Sequence, residues 1–301
     1  MRIAVAATPA VAIPTLNALL DSEHNLSFVI TQPDRPAGRG LNLQESEVAQ
    51  WASVHSVSTF KPESAAEIFP LLADVDVLLT IGYGVLLPLE VISAPKFGSL
   101  NLHFSLLPRW RGAAPVQRAI EAGDAISGVT VFALDEGMDT GPIYSIKRFA
   151  LDSDITSDEL FIELAELGVE AVLEALAEIA SGKKPTPQNN TDATRAFKLK
   201  KSEGQIDWNS DAQSIISKVR AFTSNPGAWT TFRGGPLKID SLTLAEEKVQ
   251  PGLISVRNRE LIVGTGSTAV VIGFCTPSGK QRMASQNWLN GARLQPGEKF
   301  G

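Results

Sequence analysis

Short apolar runs alternate with amphipathic stretches along the first 180 residues. The runs at 3–7, 26–30, 75–81, 99–102, 128–133 and 143–149 are of strand length. Between several of them, residues 12–20, 45–53, 116–122 and 157–180 repeat apolar positions at helical spacing. Thr156, Ser157, Asp158 and Glu159 open the last of these as a helix start, and Ser181 and Gly182 close it. Strands alternating with helices predict an α/β fold with a mostly parallel sheet.

The pattern dissolves between residues 184 and 205. Pro185, Pro187, Asn189, Asn190 and the run Lys198-Leu199-Lys200-Lys201 read there as a linker. A helix-like stretch at 211–222 follows. Five short apolar segments come next, at 229–232, 237–244, 252–256, 261–264 and 269–274, several of them separated by Gly and Pro. Such spacing predicts a small β-barrel. The domains are therefore expected at 1–189 and 206–301, joined by a basic linker at 190–205.

A chain of 301 residues has room for two domains, and 44% hydrophobic with 20% charged residues suits an ordinary buried core. The single cysteine, Cys275, forms no disulfide framework within one chain. His24, His55 and His103 are too scattered to suggest a metal cluster, so no metal is expected. Residues 1–7 could pass for a signal peptide, but Thr8-Pro9 breaks the run and a strand, turn and helix read better. The longest apolar stretch, 77–92, contains Gly82, Gly84, Pro88 and Glu90 and does not read as a membrane span. The expectation is a soluble, cytoplasmic protein.

Net charge is −6, which by itself disfavours a nucleic-acid partner. The distribution changes that picture. Residues 1–189 hold 12 Lys and Arg against 24 Asp and Glu, whereas residues 190–301 hold 15 against 9. A basic second half hints at a polyanionic partner, although drift in surface composition gives the same asymmetry.

Two polar loops concentrate the chemistry. The first, at 101–115, carries Asn101, His103, Ser105, Arg109 and Arg111 directly after an apolar run. The second, at 135–142, is Asp135-Glu136-Gly137-Met138-Asp139-Thr140-Gly141-Pro142, and it too follows an apolar run. Both are expected at the carboxyl edge of the parallel sheet. Asn101 and His103 stand at i and i+2 of a strand end and so point the same way. An amide donor beside an imidazole can hold an oxyanion or pass a proton. A carboxylate from Asp139 can orient that imidazole and raise its pKa. Ser105 lacks the Gly-x-Ser-x-Gly context of a nucleophile, and the Ser105–Pro108 run reads as a wall.

Gly82-Tyr83-Gly84-Val85-Leu86-Leu87-Pro88 starts like a dinucleotide fingerprint but lacks its third glycine. It reads either as a plain strand-to-helix turn or as an apolar ledge for a flat heteroaromatic ring held by main-chain hydrogen bonds. Gln32 to Gly40 contains Arg35 and Arg39 among Pro and Gly, a cationic loop that is either merely solvated or built for phosphate.

These motifs together resemble the folate-dependent formyltransferases, and among them the methionyl-tRNA formyltransferases. The resemblance rests on residues 101–115, Gly128-Val129-Thr130 and residues 135–142 for the shared core. The 32–40 loop, 83–88, Ile206-Asp207-Trp208, Arg220-Ala221-Phe222 and residues 283–290 carry the more specific part. It implies a Rossmann-like formyltransferase domain followed by a small OB-like β-barrel domain. It implies formyl transfer from 10-formyltetrahydrofolate to the α-amine of initiator methionyl-tRNA, by a monomer. By similarity, Asn101, His103 and Asp139 are catalytic. Tyr83, Gly84, Val85, Leu86, Leu87, Ser105, Leu106, Leu107, Pro108 and Asp135 would hold the folate. Arg35 and Arg39 would reach the acceptor end of the tRNA, and Lys198, Lys200 and Lys201 its phosphates. The mechanism expected from this set has Asn101 and a protonated His103 stabilising the formyl oxygen, with Asp139 keeping the imidazole charged. Related chemistries with the same core are sugar-nucleotide N-formyl transfer and formyltetrahydrofolate hydrolysis; a tRNA-binding protein without catalysis is a further alternative. Phe104, Ala7 and Ala10 depart from the family pattern, which usually has a small residue, glycine and an acidic residue there. Phe104 either narrows the site or turns into the core.

Overall fold

The computed structural model describes residues 1–37 and 42–301, which divide into two compact units. The first comprises residues 1–112, 126–150 and 161–196, and the second residues 113–125, 151–160 and 197–301. No helix among the described residues is long and apolar enough to cross a membrane.

The first unit carries strands β1 (Arg2–Ala7), β2 (Asn25–Ile30), β3 (Arg35–Ala37), β4 (Asn42–Gln44), β5 (Thr59–Phe60), β6 (Val77–Ile81), β7 (Ser99–His103), β8 (Arg111–Gly112), β9 (Ile126–Ala133), β10 (Ile143–Ala150) and β11 (Arg195–Ala196). Seven of them form one sheet in the order β10-β9-β7-β6-β1-β2-β5. The pairs from β5 to β7 are parallel, while β9 is antiparallel to both β7 and β10. Residues 3–7 of β1 and most of β6 are wholly inaccessible, as expected where helices cover both faces of a parallel sheet. All six strands predicted for this unit are present, each within a few residues of its expected limits.

The antiparallel run of β9 alters one expectation. Leu134 N–H bonds to the Ser99 carbonyl, so the 135–142 loop leaves beside the amino end of β7 and not at the carboxyl edge. It must fold back to reach His103. Hydrophobic periodicity reports burial and not strand direction, which is why the sequence placed both loops at one edge.

The second unit pairs the helices Pro115–Glu121 and Ala212–Ala221, which pack on one another. Its strands are β12 (Ala228–Phe232), β13 (Gly235–Leu244), β14 (Ile254–Arg257), β15 (Glu260–Val263), β16 (Val270–Pro277) and β17 (Met283–Ala284). They form an antiparallel sheet in the order β12-β13-β16-β15-β14, with β17 on β16. Trp208, Phe232, Trp288 and Phe300 cluster with ring centroids 5.1–5.9 Å apart. Buried Trp208 donates its indole N–H to Thr230 Oγ1 at 3.0 Å, satisfying the polar handle that a buried tryptophan carries.

Candidate active site

His103 closes β7 and is 5% exposed. Its Nε2 lies 2.9 Å from the Trp110 carbonyl, an acceptor only, so Nε2 carries the proton. That leaves Nδ1, which faces Asp139 Oδ2 at 3.7 Å. Asp139 Oδ2 in turn accepts from the Gly112 backbone N–H at 2.7 Å. Burial pulls the His103 pKa below its ordinary value of 6.5, opposed by the Asp139 charge and by the Trp110 hydrogen bond. The expectation from sequence, a protonated imidazole, weighed the Asp139 charge and not the burial of the ring. Asp139 favours the charged form, but loss of hydration outweighs it.

Asn101 sits two residues earlier on the same strand. Its Oδ1 accepts from the Thr80 hydroxyl at 2.8 Å, and that hydroxyl also lies 3.0 Å from the Leu100 carbonyl. Among the described residues no hydrogen bond uses the amide nitrogen, so its two donors remain available to a ligand. Phe104 is 6% exposed and meets Phe161 edge-on at 5.9 Å. Its ring has turned into the core.

The first loop is folded by its own polar atoms. Ser105 Oγ donates to the Arg109 carbonyl at 2.6 Å. The Thr130 hydroxyl donates to the Ser105 carbonyl at 2.7 Å and accepts from Leu107 N–H at 3.1 Å. Ser105 is therefore spent on holding the loop. Leu107 is buried, while Leu106 and Pro108 are partly open. In the second loop Asp135 Oδ1 accepts from Gly137 N–H at 3.0 Å and from the Thr140 hydroxyl at 2.7 Å. Gly141 is required at its position, because an added Cβ would stand 1.7 Å from the Ala133 carbonyl oxygen.

The 82–88 segment splits in two. The Tyr83 side chain is buried with Ala4, Ala6, Ile30 and Leu78 and presents no ring to a ligand. Its carbonyl accepts from Gln32 Nε2 at 2.7 Å, which passes over Gly84, where the backbone is left-handed at φ 78°. Val85 and Leu86 are exposed, Leu86 at 80%, and Leu87 is half-buried. An apolar, accessible ledge thus exists at Val85–Leu87, with Tyr83 as its buried root.

Arg35 lies exposed on β3, which pairs with β4. Lys61 closes the base of this hairpin, bonding Asp34 Oδ1 at 2.6 Å and Glu45 Oε1 at 2.8 Å. Arg39 lies outside the described residues. Lys198, Lys200 and Lys201 are exposed in the second unit.

Sequence reasoning missed the segment 186–196, read in part as linker. Thr186 and Ile143 exchange backbone bonds at 2.7 and 2.8 Å. Gln188 Nε2 donates to the carbonyls of Asp139 and Gly141, and its Oε1 accepts from Arg111. Thr194 Oγ1 accepts from Trp110 N–H at 2.8 Å, and β11 pairs with β8. Composition gave no signal for this, since the strap is held by isolated backbone pairs and single side chains and not by a periodic face. Thr130 was legible only as part of the quoted motif.

Two family models match the chain: Formyl transferase over residues 1–176 and Formyl transferase, C-terminal domain, over residues 198–293. A methionyl-tRNA formyltransferase of Nitrosospira multiformis is 40% identical over 308 residues, covering 100% of this chain and 99% of the relative. Among solved structures, HypX from Aquifex aeolicus in complex with tetrahydrofolic acid aligns at TM-score 0.67 and 22% identity, over 99% of this chain and 48% of that one. A methionyl-tRNA formyltransferase from Clostridium thermocellum aligns at TM-score 0.59 and 18% identity, over 90% of this chain and 99% of that one. The polar loops at 101–115 and 135–142 fall inside the first matched region, the basic run lies at the edge of the second, and the chain belongs to the formyltransferase family.

Proposed function

We propose that this enzyme transfers the formyl group of 10-formyltetrahydrofolate to the α-amine of methionyl initiator tRNA. The observation that carries the reading is the full-length likeness to methionyl-tRNA formyltransferases, joined to a buried imidazole facing a carboxylate beside an amide with unspent donors. Folate as co-substrate is supported by the tetrahydrofolate bound to the related HypX.

The chemistry follows from charge that appears only during reaction. The neutral α-amine, its pKa lowered by esterification, attacks the formyl carbon. The formyl oxygen becomes negative and takes hydrogen bonds from Asn101 Nδ2. The attacking nitrogen becomes positive and passes its proton to Nδ1 of neutral His103. The imidazolium so formed stands between Asp139 and the Trp110 carbonyl, both of which favour its charge. His103 then returns the proton toward folate N10 as the C–N10 bond breaks, and the ring is neutral again. Val85, Leu86, Leu87, Leu106, Leu107 and Pro108 supply apolar walls for the folate ring. Asp135 and Ser105 shape the two loops. Arg35, Arg39, Lys198, Lys200 and Lys201 receive the tRNA.

The test is formyl transfer from 10-formyltetrahydrofolate to charged initiator tRNA, with elongator methionyl-tRNA and a UDP-amino sugar in parallel. Formylation of the initiator is expected. Formylation of the sugar alone would keep the catalytic trio and overturn the tRNA assignment.

A further inference from the structure

We propose that Gln188 is a positioning residue that holds Asp139 against His103. The proposal rests on the catalytic reading above and adds a residue from outside both polar loops. Asp139 has φ 56°, a left-handed conformation that a residue with a Cβ keeps only when its surroundings fix it. Its carboxylate is tied to Gly112 N–H, and its own carbonyl accepts from Gln188 Nε2 at 3.0 Å. The same nitrogen donates to the Gly141 carbonyl at 2.7 Å, so one amide grips the backbone on both sides of Thr140. Its oxygen accepts from Arg111 Nε at 3.2 Å and Nη2 at 2.6 Å. The connections form a closed ring: Asp139 to Gly112, Arg111 to Gln188, Gln188 back to Asp139.

Only a primary amide offers two donors and an acceptor in one rigid plane, so neither glutamate nor methionine can close this ring. The bonds of the neighbouring strap residues give Gln188 a fixed base. Thr186 is bridged to Ile143, and Thr194 holds Trp110, whose carbonyl fixes the other nitrogen of His103. Both sides of the imidazole are thus referred to residues 186–196. Since a displacement of about 1 Å at a reacting group can cost on the order of 100-fold in rate, loosening the Asp139 backbone acts on turnover and not on substrate binding.

The experiment starts from wild-type formyl transfer to initiator methionyl-tRNA and then compares Gln188→Met with it, alone and combined with Asp139→Asn. Alone, Gln188→Met is expected to lower kcat at least ~10-fold with both KM values within about twofold. On the Asp139→Asn background it is expected to cost less than about twofold, because residues acting as a unit are not additive. Gln188→Glu keeps an acceptor for Arg111 and loses both donors, so it is expected to be as slow as Gln188→Met. An equal loss in the Asp139→Asn background, or wild-type turnover in Gln188→Glu, would overturn the proposal; the second result would transfer the effect to Arg111. Amide hydrogen exchange gives a readout independent of activity. Exchange over residues 139–141 is expected to accelerate in Gln188→Met while β9 stays protected, and unchanged exchange there would also overturn the proposal. A wild type without formyl transfer would sink the catalytic reading instead, and the exchange arm would still decide on Gln188.

Discussion

The His103 pocket in the first unit and the Lys198–Lys201 run in the second are built by opposite means. Around His103 most polar atoms are committed, Nε2 to Trp110, Asp139 to Gly112, the Thr130 hydroxyl to the Ser105 carbonyl and the Ser105 hydroxyl to Arg109, and the Asn101 amide donors stand out as unspent among the described residues. Lys198, Lys200 and Lys201 are exposed. Proton transfer depends on distances fixed to a fraction of an ångström, so its residues must be buried and over-determined. Attraction to a polyanion depends on charge density and tolerates movement. Substitution should therefore be severe and all-or-none in the first region, and graded, additive and salt-dependent in the second.

The sharpest break lies in the trio itself. His103→Ala and Asp139→Asn are each expected to lower turnover at least ~100-fold, the low end for an acid–base group. Asn101→Ala is expected to cost on the order of 100-fold, as for loss of one oxyanion donor. Single-turnover formylation checks all three. Near-normal turnover in any of them would remove that residue from the mechanism.

The protonation state of His103 can be measured directly, since the chain has only three histidines. By NMR, the His103 ring is expected to titrate below 6.5, and Asp139→Asn should lower it further by removing the charge that opposes burial. The sign carries over to stability. A histidine with a depressed folded pKa binds fewer protons when folded than when unfolded. Its contribution is intact above pH 6.5 and is lost as pH falls toward the folded value. A midpoint above 6.5 would reverse this slope, and one above 7 would restore the charged resting imidazole.

A smaller effect is expected in the arginine loop. Arg39→Ala should lower kcat/KM for the tRNA roughly tenfold, the cost of losing a charge-assisted phosphate contact, and leave the folate KM unchanged. A large loss of folate affinity would place the loop at the wrong substrate.

Much of this contrast could be read before the structure. The run at 3–7 is apolar throughout and that at 75–81 is broken only by Asp76 and Thr80, because both faces are buried, and five of the second unit's six strands are marked out by apolar runs. Asn101, His103 and Asp139 stood out because polar residues rarely cluster after an apolar run without a reason. Three things were not legible. The direction of β9 has no signature in periodicity. The balance between burial and Asp139 at His103 depends on how much water the fold removes. The role of Gln188 depends on contacts 47 and 77 residues away in sequence, which no local pattern encodes. The Tyr83 ring is buried by residues of three strands, Ala4, Ile30 and Leu78, which a local reading of residues 82–88 does not bring together.

The smallest expected effects test the other half of the comparison. Lys198, Lys200 and Lys201 changed singly to Ala should each raise the KM for tRNA only a few-fold, with kcat and the folate KM unchanged. An exposed ammonium contributes little beyond releasing a counterion from the polyanion. The three losses should add, because flexible side chains that share no partner do not couple. The decisive measurement is the dependence of log KM on log salt concentration. Each phosphate contact removed should flatten the slope by about 0.7–0.9. A triple variant whose slope is unchanged would mean that these lysines do not touch phosphate, however basic the second half of the chain is. A single variant that abolishes turnover would mean that one of them belongs with His103, in a site that depends on geometry and not on charge alone.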